Sequence, residues 1–359
     1  MPSDPKRIRL LLEAMQTLET GPVRLMEVCG THTMAIAAAG IKTMLPAGVQ
    51  LLSGPGCPVC VTPPQVIDAV LELSMEKDVV LTTYGDMLRV PGSRPGDSLL
   101  RRRALGAQVE TVYSPVDAVE IALARPEKQV VFLGVGFETT APGTAAAVLT
   151  ALEKGAKNFT LWSMLKLVEP ALRALIAMDG FKVDGFLCPG HVATIIGERG
   201  FRYLPEEFGL PAVIAGFEAE DILLAVYKLL RQIAEKRPRL ENEYKRAVSP
   251  DGNVLAQRMI AQCFRPREDV WRGLGRIGAS GLGLSEELEA FDAERRFGVV
   301  YGDVEPPTAC RCGEVITGRL APTGCPMFGR ACTPEDPVGP CMVSSEGACA
   351  AASKYQGIL

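Results

Sequence analysis

The sequence has no excess of either charge: 38 basic residues face 42 acidic ones, a net charge of −4. Binding nucleic acid as a main task calls for a basic surface, so that class is excluded. A long apolar run is also missing. The longest uncharged stretch, residues 43–67, holds five prolines and three glycines, which no membrane-spanning helix tolerates. Residues 1–16 are charged too close to the leucines at 10–12 to form a secretion signal, so the cytosol is the expected compartment and no membrane partner is expected. Aromatic residues are scarce at 6%, and the only histidines are His32 and His191. The glycines around Gly134 have neither the G-x-G-x-x-G spacing nor the Lys-Ser/Thr of a phosphate-binding loop, which argues against a nucleotide there.

What is present points elsewhere. At roughly 100–200 residues per domain, 359 residues make two or three domains. Hydrophobic residues at 47% and charged ones at 22% fit a globular protein. The chain has 36 glycines and 27 prolines, so much of its length lies in shaped loops. It also has 11 cysteines, an odd number, which in a reducing compartment favours metal or redox chemistry over structural disulfides.

Short apolar runs at 23–28, 49–52, 79–83, 130–135, 159–164, 185–187 and 212–215 alternate with amphipathic stretches such as 64–75, 144–152, 170–178 and 219–234. That alternation predicts an α/β fold with parallel sheets covered on both faces. The triplets Gly136-Phe137-Glu138 and Gly216-Phe217-Glu218 each follow a strand and open a helix, suggesting two small α/β domains, 23–115 and 116–235. Residues 1–22 form a helix expected to pack on the C-terminal unit, 236–359. That unit is Cys-rich, and something other than a hydrophobic core is expected to hold it together.

Three cysteines sit where an open α/β sheet places its chemistry, at the carboxyl ends of strands. Cys29 follows the first strand and precedes a helix expected over 34–39, with Thr31 or Thr33 as N-cap. The helix dipole is expected to lower its pKa and favour the thiolate. His32 stands three residues on, able to tune the thiolate, relay a proton or bind metal. Cys57 and Cys60 form a C-x-x-C at a strand-to-helix turn, which suits a dithiol/disulfide couple, transient iron, or half of a zinc site. No second C-x-x-C or His-x-His partner supports zinc. His191 follows Cys188-Pro-Gly at the same kind of edge, as a proton donor or an ordinary loop residue. Glu138 and Glu218 read as helix-start carboxylates.

The tail gives the strongest signal. Cys310, Cys312, Cys325, Cys332, Cys341 and Cys349 are spaced C-x-C-x12-C-x6-C-x8-C-x7-C among glycine and proline. Four thiolates from flexible loops are what a cubane iron–sulfur cluster requires, and two sulfurs remain for a disulfide beside it. Zinc also accepts four thiolates, but the paired knuckles of structural zinc are absent.

Cys29-Gly-Thr-His-Thr33, Gly54-Pro-Gly-Cys-Pro-Val-Cys60, Thr83-Tyr-Gly-Asp-Met87, Gly136-Phe-Glu-Thr-Thr140, Cys188-Pro-Gly-His191 and the terminal array together resemble the HypD family of hydrogenase maturation proteins, over nearly the whole chain. The resemblance implies two α/β domains plus a C-terminal iron–sulfur domain. It also implies a scaffold and redox role in building the Fe(CN)2CO unit of nickel–iron hydrogenase. The partners it implies are the chaperone HypC, the cyanide donor HypE and, indirectly, the hydrogenase large subunit. By analogy Cys29 holds the iron together with HypC, Cys57 and Cys60 are the redox pair and further iron ligands near it, and His32 and His191 serve protons. Cys310, Cys325, Cys332 and Cys349 are implied as the [4Fe–4S] ligands, with Cys312 and Cys341 the adjacent dithiol, similar to ferredoxin:thioredoxin reductase. The alternative is a free-standing iron–sulfur-dependent thiol–disulfide reductase, which has no use for Cys29-Gly-Thr-His32.

Overall fold

The structure is a computed structural model describing residues 4–301 and 309–355. Each of the seven apolar runs forms a strand, and the strands make two parallel sheets, as α/β patterning requires. The first sheet contains β1 (Val23–Glu27), β2 (Val49–Ser53), β7 (Gly185–Pro189), β8 (Ala212–Ala215) and β9 (Leu240–Asn242), in the order β2-β1-β7-β8-β9. The second contains β3 (Val79–Thr83), β4 (Gln108–Thr111), β5 (Gln129–Gly136) and β6 (Phe159–Leu165), in the order β4-β3-β5-β6.

This strand order does not follow the expected division at residue 115. Met26 in β1 pairs with Leu52 on one side and with Phe186 on the other, so the second sheet is inserted within the first. Parallel partners are joined by long crossovers, and a local apolar pattern does not say which strands will meet. The two strands that these sheets add to the seven expected ones, β4 and β9, are short, lie at sheet edges and carry polar residues. The glycine-rich stretch after residue 263 is an antiparallel hairpin, β10 (Phe264–Trp271) and β11 (Gly275–Leu284).

The N-terminal helix Pro5–Gln16 is capped by Asp4, whose side chain accepts from the Lys6 amide, and has proline in its first turn. It packs on the helix Ala219–Glu235 rather than on the Cys-rich unit. Its stripe at Ile8, Leu11, Leu12 and Met15 has helical spacing and enters the same core as Ile222, Val226 and Leu229, with Arg7 paired to Glu220 at 2.9 Å. The C-terminal unit also departs from expectation. Val315, Ile316, Phe328 and Met342 share one continuous apolar core with Val28, Val61 and Val135, so hydrophobic packing does hold it to the sheets. No helix among the described residues is long and apolar enough to cross a membrane.

Candidate thiol and metal site

The first sheet runs from β1 to β2 on one side and resumes with β7 on the other. Its order therefore reverses at β1, and the crevice at the carboxyl ends there is where such folds place ligands. Four loops meet at this edge: Cys29 after β1, Gly54–Cys60 after β2, Cys188–His191 at β7 and Gly216–Phe217 after β8.

Cys29 is itself the N-cap of the helix Gly30–Ala38, which starts four residues earlier than expected, and neither Thr31 nor Thr33 caps it. Beneath it lies Glu27, 1% exposed. The Glu27 carboxylate accepts from the Cys29 amide at 3.1 Å and from the Thr33 hydroxyl at 2.6 Å. Burial nevertheless pushes the Glu27 carboxyl up to about 7. The same competition decides Cys29. Backbone amides of His32 and Thr31 favour its thiolate, but burial dominates and pushes the thiol up to about 12. The expected lowering at a helix terminus is right in sign for the amides and too small to win.

Backbones approach closely around this thiol. Gly30 donates its amide to the Gly56 carbonyl at 2.8 Å, and a Cβ on Gly56 would lie 2.2 Å from the Cys29 nitrogen. The Cys29 loop and the C-x-x-C loop are therefore in direct contact. Cys57 and Cys60 are joined as a disulfide, and Cys57 caps the helix Pro58–Val61. Of the three expected iron ligands, only Cys29 thus has a free thiol in this state.

His32 is fully buried, its Nε2 2.9 Å from the Gly216 carbonyl, a geometry in which Nε2–H donates. Burial holds its pKa down to about 4, and Nδ1 has no hydrogen-bond partner among the described residues. Phe217 stacks against both histidines, with ring centroids 4.8 Å from His32 and 4.0 Å from His191. Both sequence-predicted histidines thus reach this edge, His32 inside and His191 exposed.

The tail closes over the site. The Thr31 hydroxyl donates to Glu346 at 2.9 Å, and Ser344 and Ser345 both donate to Asp86, in the loop after β3. The helices Cys312–Ile316 and Pro340–Val343 pack on Pro58–Val61. Between them lies Arg272, 5% exposed, donating its amide to the Val61 carbonyl at 2.8 Å and its Nε to Thr62 at 3.0 Å. Hydrogen bonds from Cys310 and Cys341, with the Arg272 charge, hold the Cys312 thiol below its ordinary range, while the hydrogen bonds to neighbouring sulfurs, and then burial, raise Cys310 and Cys341.

All six tail cysteines line one cavity of about 20 Å³. The all-sulfur donor set is the kind an iron–sulfur cluster takes. Among the described residues no three His, Cys, Asp or Glu side chains are placed to hold one metal ion. A cubane spreads its four cysteines over different irons, so its ligand sulfurs need not meet at one point. Cys188, near the carboxyl end of β7, and Cys263 are buried outside this cavity, and burial raises both thiols.

Sequence reasoning missed Glu27, Phe217, Arg272, Glu346 and the reach of Asp86 to the tail. Glu27 had a signal, the one carboxylate in the run 23–28, at the carboxyl end of β1. Glu138 is not a helix-start carboxylate: it is 5% exposed, accepts from the Val168 amide at 2.9 Å and faces a different cavity.

The family described as "HypD: Hydrogenase formation hypA family" matches residues 6–356. The chain is 45% identical over 341 residues to the hydrogenase maturation factor HypD2 of Bradyrhizobium diazoefficiens, covering 93% of this chain and 90% of that protein. It is 44% identical to HypD of Rhodobacter capsulatus, covering 94% and 90%. It is 43% identical to HypD of Escherichia coli, covering 93% and 90%. With similarity at this level along nearly its whole length, the chain belongs to the HypD family of hydrogenase maturation factors.

Proposed function

We propose that this protein is the scaffold on which the Fe(CN)2CO unit of nickel–iron hydrogenase is assembled, with HypC sharing the iron and HypE supplying cyanide. The observation that carries the reading is Cys29: a free thiol at the N-cap of the helix after β1, at the switch point of the first sheet and in contact with the C-x-x-C loop. Iron is here the cargo. A thiolate suits a low-spin ferrous ion, and the positive charge of an incoming metal offsets the burial that keeps Cys29 protonated, so its proton leaves as the ion binds. The amides of Thr31 and His32 then hold the added negative charge. His32, fixed with Nε2–H toward Gly216, keeps an Nδ1 lone pair that can accept a hydrogen bond at this edge.

We further infer that Cys310, Cys325, Cys332 and Cys349 hold a [4Fe–4S] cluster, with Cys312 and Cys341 beside it as a dithiol. Such a cluster, when bound, supplies electrons one at a time. Thiol–disulfide exchange moves two electrons and two protons between the protein's own pairs: the Cys57–Cys60 bond opens to two thiols as the Cys312/Cys341 dithiol closes to a disulfide. The packing of the helices bearing Cys312 and Cys341 on the Cys57 helix supports that pairing. A reductase acting on a partner protein needs an exposed sulfur, whereas Cys57 and Cys60 are 5% and 0% exposed. Infrared spectroscopy on the chain purified with HypC tests the proposal. CN and CO stretches are expected, and Cys29→Ala abolishes them while leaving the brown cluster absorbance. A loaded wild-type complex without those stretches overturns the scaffold reading.

A further inference from the structure

A second cavity, of about 800 Å³, lies apart from the thiol site, between the helices Val168–Ile176, Gly190–Ile196 and Val254–Cys263 and the β10–β11 hairpin. Its volume falls in the range of small-molecule sites, and its walls are mainly apolar, including Leu167, Ile195, Ile260, Phe264 and Leu282. Glu138, 5% exposed, lies in its lining. One Glu138 oxygen accepts from the Val168 amide, and the other, Oε2, is buried without a partner among the described residues. A buried carboxyl normally has its oxygens satisfied, so this one calls for a donor that the described residues do not provide.

The neighbouring cations are already engaged. Arg173 is paired with Glu169 and with Glu207 at 2.7 Å, and Arg265 donates to the carbonyls of Ala261 and Phe264. Burial, with the nearby Glu169 charge, pushes the Glu138 carboxyl up to about 7, so no positive group offsets its desolvation. The backbone at the lip is also unusual: Ala279, which lines the cavity, sits at φ +53°, a conformation an alanine adopts at a cost and one that clusters at ligand sites.

We propose that this cavity binds a small apolar molecule bearing one amine, whose ammonium group pairs with the Glu138 carboxyl in its lining. The apolar body fills the space between the helices, and the ammonium supplies the donor and the charge that the protein withholds. This site is independent of the maturation reading.

Calorimetric titration of the full chain with 4-phenylbutylamine, against 4-phenylbutanoate as the anionic control, tests it. The amine is expected to bind one to one and the anion at least about tenfold more weakly. Glu138→Gln should weaken the amine by about tenfold or more. Ala261→Trp, placed on an exposed position of the helix end that lines the cavity, should abolish binding and serves if the first variant does not fold. Absence of amine binding, equal binding of the anion, or amine binding unchanged by the variants overturns the proposal.

Discussion

Gly56→Ala separates the two loops whose contact defines the candidate site. The added Cβ would lie 2.2 Å from the Cys29 nitrogen, 2.5 Å from the Val28 carbonyl carbon and 2.6 Å from the Cys29 Cα. Ordinary contacts between such atoms are about 3.5–4.0 Å, so the loops must part by roughly 1 Å. All three atoms are backbone, and no side chain can rotate away. Overpacking of this kind costs about 1–3 kcal/mol, and straining the Gly30-to-Gly56 hydrogen bond adds about 1 kcal/mol. The expected destabilisation is therefore about 2–4 kcal/mol, read as a lower urea midpoint at unchanged slope. A displacement of that size at a reacting group costs on the order of a hundredfold in rate, read as slower growth of the CN and CO bands. Gly85→Ala is the control, because another motif glycine is changed but no atom of the described residues lies within 4 Å of the new Cβ. It should stay within about 0.5 kcal/mol of wild type. If Gly56→Ala matched wild type in both assays, or the two variants behaved alike, the claim that backbone contact builds the site would be wrong.

Two further outcomes follow from buried polar groups. Burial holds His32 down to about 4, below its ordinary 6.5, so its contribution is intact above pH 6.5 and is lost as the pH falls toward 4, by at most about 3 kcal/mol. Urea stability of the wild type should therefore drop more between pH 7.5 and pH 4.5 than that of His32→Gln, and parallel curves would refute a buried neutral imidazole. Asp86→Ala removes the acceptor shared by the Ser344 hydroxyl and the Ser345 amide and hydroxyl. Hydrogen exchange should rise across 344–347 while β1 and β7 stay protected, and unchanged exchange there would mean that Asp86 does not anchor the tail.

The strands were legible because parallel sheets need near-continuous apolar runs, and all seven such runs became strands. Their pairing was not, since β1 meets β7 across about 160 residues that carry the whole second sheet. At the site, Cys29, the C-x-x-C and His191 could be placed from their positions at strand ends. The electrostatics could not, because a helix terminus contributes up to about 2 kcal/mol, whereas desolvation depends on what the rest of the chain lays over the thiol. The Gly-Phe-Glu echo shows the same limit. Phe217 stacks on two histidines, while Phe137 stacks on Trp271 and the following Glu138 turns to another cavity. Identical triplets at equivalent strand ends are given different work by tertiary neighbours absent from the local sequence.

The two kinds of thiol site differ in how much of the fold each requires. Cys57 and Cys60 are three residues apart on one turn, and that turn alone brings them together. Cys29 is surrounded by Glu27 and Thr33 from its own segment, Gly56 from the next loop, Gly216 and Phe217 by way of His32, and Glu346 from the tail. Closing loops of such length costs only slowly more as they grow, so assembling a site from distant segments is thermodynamically tolerable. The consequence is that the environment of Cys29 reports on the whole chain. The tail carries both the cysteine array and Glu346, so any rearrangement among those cysteines that shifts residues 344–346 also alters the cover over Cys29. That mechanical link runs through the Asp86 and Thr31 hydrogen bonds and requires no contact between the cysteine cavity and the Cys29 thiol itself.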